Sequence, residues 1–558
     1  MAMEIGWRAF KLWRLLVLLL VGALCSHAEL HTAQGAAVGA EVAAIVPLEV
    51  GDVVFQTNFE GAEALQPWSE HEANKIRLAP GRNNSQSLTV EAPVAGGAAS
   101  TMIRVPLPVE KLRGARLKLE AMMKSDNVVQ PPQPWNGVKF MLHTVAPDVP
   151  RWEQQNNVFG TFDWKPVSFT TRVPKDASEA WLMLGLEATT GQVWFDDIKI
   201  TVVSVPRIRP AQPAPRRINN EHRLRGAMIS PNATADDLRV LGKQWGANHV
   251  RWQLTWGGFP QSPADSADEA AYDAWLESVL KHVDELLPLC KELGIAVLID
   301  LHTPPGGRNA ANECRMFQEK KWQDKFLGVW DKIARRYRGN ETVWGYDLVN
   351  EPVEGTVPDD LMNWRALVEQ TARRVRAIDA QHAIVVEPAP WGSPSSIEDF
   401  EPLPVSNVVY SVHMYEPHQF THQGVYSDPV GVNYPGTING RQWDKEQLRR
   451  VLQPVIEFQR DYGVPIYIGE FSAIRWAPDD SAYRYLKDAI DIFEENNWSW
   501  AYHAFREWNG WSVEHSGNKA DNERSATPTT REQLLRAWFA KNAKPNTIAK
   551  PAAQPAKK

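Results

Sequence analysis

The sequence predicts a multidomain protein in which an antiparallel β-sandwich precedes a (β/α)8 TIM barrel. Across residues 50–204, short runs of alternating apolar and polar residues are separated by turn residues, a pattern typical of a sandwich. Across residues 219–540, apolar strands alternate with amphipathic helical segments, which is the pattern of a parallel barrel. Between the two, residues 205–218 hold four prolines and predict an extended linker.

The barrel prediction rests on eight apolar segments, each long enough for one strand. Amphipathic helical segments, such as the one from Ala271 to Leu293, separate most of them. In chain order the segments are RGAMIS at Arg225, HVRWQL at His249, AVLIDLH at Ala296, VWGYDLVNE at Val343, HAIVVEP at His382, VVYSVHMY at Val408, PIYIGEF at Pro465 and WSWAYHAF at Trp498.

The two ends of the chain predict segments outside the folded domains. Three basic residues precede the apolar run Leu15–Leu24, and small residues follow around Ser26 and Ala28. This order predicts a secretory signal peptide, residues 1–28, because the run is too short to cross a bilayer of about 30 Å. We therefore expect a secreted protein, extracellular or periplasmic, with no membrane contact after cleavage. The basic, Ala/Pro-rich residues 541–558 predict a disordered tail.

Composition narrows the class of partner. The net charge of -7 and the absence of a Lys/Arg-rich run in the folded regions argue against nucleic acid. The chain has 24 Trp against 12 Tyr and 18 Phe. Indole faces suit sugar rings, although core packing accounts for many of them. Two cysteines of the mature chain, Cys290 and Cys314, could pair in an oxidising compartment, but two do not make a disulfide framework.

Polar residues end most of the predicted barrel strands. In a TIM barrel the chemistry lies at the carboxyl ends of the strands, whereas the interior is packed with apolar layers. A ring of polar side chains at these ends is therefore not needed for stability and predicts an active site. The residues are Arg251, His302, Asn350 with Glu351, Glu387, His413 with Tyr415, and Glu470.

Two glutamates, Glu351 and Glu470, end the fourth and seventh strands and project into one cavity. Such a pair suits glycoside hydrolysis, in which retaining enzymes hold the carboxyls about 5 to 5.5 Å apart. Asn350 beside Glu351 could bind a sugar hydroxyl, which favours Glu351 as acid/base. Arg251 and Tyr415 could keep Glu470 ionised, which favours Glu470 as nucleophile.

Other interpretations of these residues stay open. A glutamate that ends a strand is often only a neighbour of a helix N-cap or an ion-pair partner. Asp347 and Glu354, equally acidic, are interpreted as structural. The spacing of His413, His418 and His422 could suit a metal, but the segment is a Gly/Pro-rich loop without a helical acidic partner. The sequence therefore predicts no catalytic metal and no cofactor.

The motifs LVNEP, HMYEPH and IGEF, with RW before them and DLH between, resemble glycoside hydrolase family 5, the cellulase-type family of a large retaining clan. The resemblance covers roughly residues 219–540. It implies Asn350 and Glu351 as the acid/base pair and Glu470 as nucleophile. It also implies that Arg251, His302, His413 and Tyr415 lie around the reacting sugar.

The same resemblance implies a tryptophan at the end of strand eight that stacks under the reacting sugar. Its usual place falls near His503 or beyond, and the sequence offers Trp500 and Trp508. We favour Trp508 because Trp500 lies early in the strand.

The sandwich resembles the jelly-roll carbohydrate-binding modules of secreted glycosidases, through VVFQTNFEG at its start and GQVWFDDIKI at its end. This resemblance implies a possible structural Ca²⁺ with oxygen ligands from Glu60, Asp196 and Asp197. Trp135 and Trp152 are candidates for stacking on glycan, and a purely stabilising domain is the alternative.

Together these features predict a secreted, monomeric, retaining endo-β-glycosidase that hydrolyses a β-linked polysaccharide, β-1,4-glucan or mannan, by double displacement. One alternative is a β-1,3-glucanase or glycoconjugate hydrolase of the same family. The other is a non-catalytic polysaccharide-binding protein, but pure binding does not need two opposed carboxyls.

Overall fold

The computed structural model describes residues 48–61, 63–68, 76–92, 100–133, 135–146, 151–205, 223–257, 263–355, 357–358, 360–425 and 430–543. The chain divides into two compact units, Met1–Val205 and Pro206–Lys558. The predicted signal peptide lies outside the described residues, as do all but one residue of the predicted linker and most of the predicted tail.

The N-terminal unit consists of two antiparallel sheets. One has the strand order β2-β3-β10-β5-β8, with β1 paired to β10, and the other has the order β4-β9-β6-β7. The strands are β1 (Val53–Thr57), β2 (Ile76–Pro80), β3 (Gln86–Ala92), β4 (Thr101–Pro106), β5 (Arg116–Val128), β6 (Gly137–Val145), β7 (Arg151–Gln154), β8 (Gly160–Arg172), β9 (Glu179–Glu187) and β10 (Gly191–Ser204), with the short helix α1 (Val109–Leu112).

Alternation of side chains explains why these strands form a sandwich. Along β5, Leu117, Leu119, Ala121 and Met123 are buried, whereas the residues between them are partly exposed. Successive side chains of a strand point to opposite faces of the sheet, so one face of each sheet enters a common core. The predicted antiparallel sandwich is confirmed.

The carboxylates predicted to bind calcium are held by hydrogen-bond donors. Asp196 Oδ2 accepts from Ser85 Oγ at 2.9 Å, and Glu60 Oε1 accepts from the Gln86 amide at 2.6 Å. Asp197 Oδ2 lies 3.6 Å from Arg82 Nη1. Donors and a guanidinium are not the neighbours that a Ca²⁺ ligand set has. These contacts do not fit the ion, and the calcium site stays a prediction.

The C-terminal unit is a closed parallel barrel with the strand order β11-β12-β13-β14-β15-β16-β19-β20. Its strands are β11 (Arg225–Ile229), β12 (His249–Gln253), β13 (Ala296–Asp300), β14 (Val343–Asp347), β15 (Ala383–Val386), β16 (Val408–Met414), β19 (Ile466–Phe471) and β20 (Ser499–Phe505). The hairpin β17 (Gly436–Ile438) and β18 (Arg441–Trp443) is inserted after β16. The helices are α2 (Ala235–Arg239), α3 (Glu269–Leu293), α4 (Lys320–Tyr337), α5 (Trp364–Ile378), α6 (His418–Thr421), α7 (Lys445–Tyr462), α8 (Ser481–Glu495) and α9 (Thr530–Phe539), and a π-helix, Val240–Trp245, continues α2.

The barrel strands are buried on both faces because helices cover the outside and side chains fill the inside. On α3, Leu276, Leu280, Val283 and Leu287 recur at three- and four-residue steps and face the strands. Asp268 caps the first turn of this helix, and Gly294 in the left-handed conformation ends it. The predicted TIM barrel is confirmed.

Two further features bear on the sequence predictions. Within the described part of the chain, no helix is both long and apolar enough to span a membrane. Cys290 and Cys314 are buried as free thiols, and burial raises the pKa of Cys290 to about 12.

Candidate active site

A fully buried guanidinium, that of Arg251 on β12, lies at the centre of the carboxyl ends of the strands. A buried charge is tolerated only when it is paired and hydrogen-bonded. Burial alone would lower the pKa of Arg251, but four carboxylates raise it well above its usual value. They are Asp300 at 3.2 Å, Asp347 at 2.9 Å, Glu387 at 3.0 Å and Glu470 at 2.7 Å.

Glu470 is the penultimate residue of β19, and its two oxygens have different donors. Oε1 accepts from Arg251 Nη1 at 2.7 Å, and Oε2 accepts from Tyr415 Oη at 2.8 Å. Burial would raise the pKa of Glu470, but the positive charges of His413, His503 and Arg251 hold that pKa well below its usual value. Glu470 is therefore ionised at neutral pH, as a nucleophile must be.

Glu351 is presented by an unusual backbone turn after β14. Its φ of 47° lies in the left-handed region, which a glutamate adopts only where its surroundings fix it. The Glu351 amide donates to Glu387 Oε2 at 2.8 Å, and Arg308 Nη2 donates to the Glu351 carbonyl at 2.9 Å. The side chain then reaches His413, whose Nδ1 lies 2.8 Å from Glu351 Oε1.

The two glutamates face each other at a short distance. A carboxylate oxygen of Glu351, one of Glu470 and a ring nitrogen of His413 all lie within 4.8 Å of one another. This separation is close to the spacing of about 5 to 5.5 Å that retaining glycosidases use and shorter than the roughly 6.5 to 9.5 Å of inverting ones.

The same three groups could hold a metal ion on distance alone. Burial would lower the pKa of His413, but Glu387 and Glu470 raise it well above the usual value. A doubly protonated imidazole donates hydrogen bonds and has no lone pair for a metal. With both ring nitrogens protonated, His413 can donate to Glu351 through Nδ1 and to Glu387 through Nε2.

Asn350 has a buried donor without a partner. Its Oδ1 accepts from Arg251 Nη2 at 3.0 Å, which fixes the orientation of the amide. Its Nδ2 is buried and has no hydrogen-bond partner among the described residues. An unmet donor beside a carboxylate pair is suited to a substrate hydroxyl.

The predicted site residues are brought together with one exception. One hydrogen-bonded network, connected through Glu387, contains Arg251, Asn350, Glu351, His413, Tyr415 and Glu470. His302 Nδ1 lies 2.8 Å from Asp300 Oδ2, which links it to Arg251. Trp508 lies in the loop after β20, is 43% exposed, and packs against Trp476 and Trp511.

His503, not Trp508, lies beside Glu470, because β20 ends at Phe505 and Trp508 lies in the loop beyond it. His503 Nδ1 hydrogen-bonds Tyr415 Oη and lies 3.6 Å from Glu470 Oε2. The sequence had marked this position as the usual place of the stacking tryptophan. The imidazole of His503 at this position is the signal in the sequence that identifies it as a candidate site residue.

The sequence places Glu387 at the end of a predicted strand but predicts no role for it. It accepts from the Glu351 amide and lies 3.0 Å from both Arg251 Nη2 and His413 Nε2. Burial would raise the pKa of Glu387, but His413 and Arg251 lower it. Its charge therefore fixes both the Glu351 backbone and the His413 imidazole.

Aromatic faces flank the network. The Arg308 guanidinium lies 5.5 Å from the ring centre of Trp391, and Trp256 stacks on Trp275 with ring centres 5.3 Å apart. Trp256, Trp275 and Trp391 are partly exposed and can contact sugar rings.

Comparison with known proteins places this geometry in a family. The model of the cellulase family (glycosyl hydrolase family 5) matches residues 215–509. Endoglucanase C of Acetivibrio thermocellus is 25% identical over 288 residues, which cover 47% of this chain and 80% of the relative. Cellodextrinase A of Ruminococcus flavefaciens is 24% identical over 278 residues, 49% of this chain and 78% of the relative. A solved structure of Thermotoga maritima Cel5A, a mutant form with cellobiose, is 26% identical, covers 56% of this chain and 96% of its own, and has a TM-score of 0.43.

Proposed function

The chain belongs to glycosyl hydrolase family 5, and from this premise we propose that it cleaves β-1,4-glucan chains internally with retention of anomeric configuration. The observation that carries the proposal is the approach of Glu351 and Glu470 to within 4.8 Å, which suits attack by one carboxylate and proton donation by the other. The names endoglucanase and cellodextrinase among the relatives favour β-1,4-glucan as the substrate.

In the first step, one oxygen of ionised Glu470 attacks the anomeric carbon. The glycosidic bond breaks, and the leaving oxygen takes the proton of the Glu351 carboxyl. The products of this step are the shortened glucan, which leaves, and a glycosyl ester on Glu470. Arg251 and Tyr415 hold the attacking carboxylate in one orientation through its two oxygens, which reduces the entropy lost on reaching the transition state.

In the second step, Glu351 is a carboxylate and takes a proton from a water molecule. The water oxygen attacks the anomeric carbon, the ester bond to Glu470 breaks, and both glutamates return to their starting states. The Glu387 contact with the Glu351 amide keeps the acid/base residue in place through both steps.

Asn350 supplies recognition at the reacting ring. Its Nδ2 is buried without a protein partner, beside Glu351, and it can donate to the 2-hydroxyl of the sugar. Hydrogen bonds to that hydroxyl strengthen as the ring approaches the transition state, so this donor contributes more to kcat than to ground-state binding.

We also infer that the protein acts outside the cell as a single chain. A polysaccharide cannot enter a cell intact, and the predicted signal peptide, residues 1–28, provides the route of export. The sandwich, with Trp135 and Trp152 at 55% and 52% exposure, is suited to holding the enzyme on the polymer. Secretion, monomeric state and glycan binding by the sandwich are parts of the proposal.

The test is hydrolysis of a panel of soluble polymers by the chain without residues 1–28. The panel contains carboxymethyl cellulose, β-mannan, xyloglucan and a β-1,3-glucan, and the release of reducing ends is measured. We expect the highest rate on the cellulose derivative, with a rapid fall in viscosity that marks internal cleavage. No release from any polymer would overturn the proposed enzyme.

Two variants assign the glutamates. Glu470→Ala should lose about 10⁴-fold or more in kcat and, with an activated aryl glycoside and azide, form the α-glycosyl azide. Glu351→Ala should form the β-glycosyl azide from the same substrate, because azide then replaces the activated water on the glycosyl ester. The reverse pattern would exchange the two roles.

A further inference from the structure

A chain of four polar groups leads from the cleft rim to the nucleophile. Glu507 Oε2 lies 3.2 Å from His503 Nε2, and His503 Nδ1 hydrogen-bonds Tyr415 Oη. Tyr415 Oη lies 2.8 Å from Glu470 Oε2. The His503 side chain is 14% exposed and that of Glu507 is 30% exposed. The members come from β20, the loop after it, the segment after β16, and β19.

The hydrogen-bonding capacity of Glu507, His503, Tyr415 and Glu470 determines which of their atoms carry protons. An ionised carboxylate only accepts, so His503 Nε2 must carry a proton to bind Glu507. Tyr415 has one hydroxyl proton, and donating it to Glu470 leaves only lone pairs for the imidazole. His503 Nδ1 must then carry a proton as well. All three contacts are therefore satisfied together only when His503 is the imidazolium.

We propose that His503, held by Glu507, is a positioning residue that aims the Tyr415 hydroxyl proton at the nucleophile Glu470. When His503 loses a proton, Glu507 retains the one on Nε2 and Nδ1 becomes an acceptor. The Tyr415 hydroxyl then donates to Nδ1 and turns away from Glu470. This inference rests on the proposed function, because it assigns a role in preparing the same nucleophile.

The charged and titratable groups around His503 support a cationic imidazole. Burial would lower the pKa of His503, but Glu470 and Glu507 raise it above the usual value, against an opposing contribution from His413. His422, which packs on Tyr415, has a pKa lowered to about 3 by burial and by His418 and His503. It is neutral and does not compete with His503 for the proton.

An indole could not perform this role. Tryptophan has one N–H donor, no acceptor and no titration near neutral pH, so the tryptophan implied by family resemblance would leave Tyr415 without a switchable partner. The imidazole ring lies 5.7 Å from Trp511 at 37°. Trp511 provides an indole for packing beside His503, whereas His503 provides the positive charge.

Glu507 is the residue whose replacement separates this role from a merely structural one. In Glu507→Gln, the side chain keeps its shape but no longer stabilises the imidazolium by charge. We expect the pKa of His503, followed by imidazole NMR of histidine-labelled protein, to fall. The alkaline limb of the kcat profile should move to lower pH by the same amount, with KM unchanged, and kcat above that limb should drop about 10- to 100-fold.

A matched control removes a carboxylate from the same loop without touching His503. Glu514 is paired with Arg506 at 2.8 Å, so Glu514→Gln should leave the pKa of His503 in place. Tyr415→Phe removes the group that connects His503 to Glu470. In that background, Glu507→Gln should still lower the pKa of His503 but no longer shift the kcat profile.

The outcomes distinguish this inference from the proposed function. Absence of hydrolysis by the wild type on every polymer defeats the proposed function. A wild-type His503 that is neutral near pH 6 in the NMR titration overturns the inference whatever the activity. If Glu507→Gln lowers the pKa of His503 and the kcat profile does not move, the inference is also overturned. The inference is supported if Glu507→Gln shifts the pKa of His503 and the kcat profile in parallel, and if only the shift of the kcat profile is lost in the Tyr415→Phe background.

Discussion

The two units of the chain satisfy buried carboxylates in different ways. In the sandwich, Asp196 on β10 is buried and accepts hydrogen bonds from two neutral donors, the Ser85 hydroxyl and the Asp197 amide. In the barrel, Glu470 is equally buried, but its partners Arg251 and Tyr415 come from other strands. Neutral donors alone surround Asp196, whereas a buried cation, Arg251, pairs with Glu470. The hydrogen-bond network across the barrel leaves Asn350 Nδ2 without a partner. This donor identifies the candidate site.

The largest expected effect comes from removing the shared cation. Arg251→Met leaves four buried carboxylates without their partner, so the free energy of unfolding of the barrel should fall by about 3–5 kcal/mol. Asp196→Asn in the sandwich keeps an acceptor for Ser85 and should change that unit by less than about 1 kcal/mol. Scanning calorimetry of both variants tests this difference, and equal losses would refute it.

A second effect concerns Asn350 Nδ2, the buried donor without a hydrogen-bond partner. Asn350→Ala removes Nδ2 and should lower kcat about 100-fold with little change in KM, because the lost hydrogen bond is strongest in the transition state. Steady-state kinetics on cello-oligosaccharides measure it. The control is an oligosaccharide with a 2-deoxy reacting sugar, on which wild type and variant should have similar rates. A variant that loses activity equally on both substrates would contradict the assigned contact.

The pH dependence of stability should have opposite signs in the two units. The pKa of Glu470 is lowered, since three cations outweigh its burial, so its contribution is present above the unfolded-state pKa of about 4.3 and is lost as the pH falls through the folded-state value. Burial raises the pKa of Asp196, so its contribution is greatest below the unfolded-state pKa and is lost as the pH rises through the folded-state value.

Calorimetry between about pH 3 and 6 separates these contributions. Glu470→Gln should make the loss of barrel stability on acidification shallower. Asp196→Asn should abolish the loss of sandwich stability that accompanies a rise in pH. A common slope in both units, unaffected by either variant, would show that the two carboxylates are not distinguished as the structure implies.

The smallest expected effect concerns exposed tryptophans. Trp508→Ala should raise KM for oligosaccharides about two- to tenfold with kcat unchanged, because a stacking contact contributes about 0.5–1.5 kcal/mol. Trp152→Ala in the sandwich should leave oligosaccharide kinetics alone and reduce only binding to insoluble polymer. If Trp508→Ala lowered kcat instead, Trp508 would belong to the reacting subsite after all.

The sequence was sufficient for the barrel because its strands are buried on both faces and separated by amphipathic helices. The eight predicted segments contain all eight observed strands, from Arg225–Ile229 to Ser499–Phe505. Their last residues could be identified as candidates because parallel strands share one carboxyl edge. The hairpin β17–β18 was not predicted, since two three-residue strands in a Gly/Pro-rich loop have no clear period.

The partners within the site could not be predicted. Arg251 contacts carboxylates from four different strands or strand ends, and those contacts depend on barrel register and rotamers rather than on spacing along the chain. His503 was not predicted as a site residue, because residue type alone does not indicate that an imidazole replaces an indole between Tyr415 and Glu507.

We propose that Glu470 forms a glycosyl ester during turnover. Incubation with an activated 2-deoxy-2-fluoro-β-cellobioside, which slows release of the ester, followed by proteolysis and mass spectrometry, tests this directly. We expect one modified peptide with the sugar on Glu470 and products of retained configuration. A label on Glu351, or inverted products without any labelled peptide, would contradict the account.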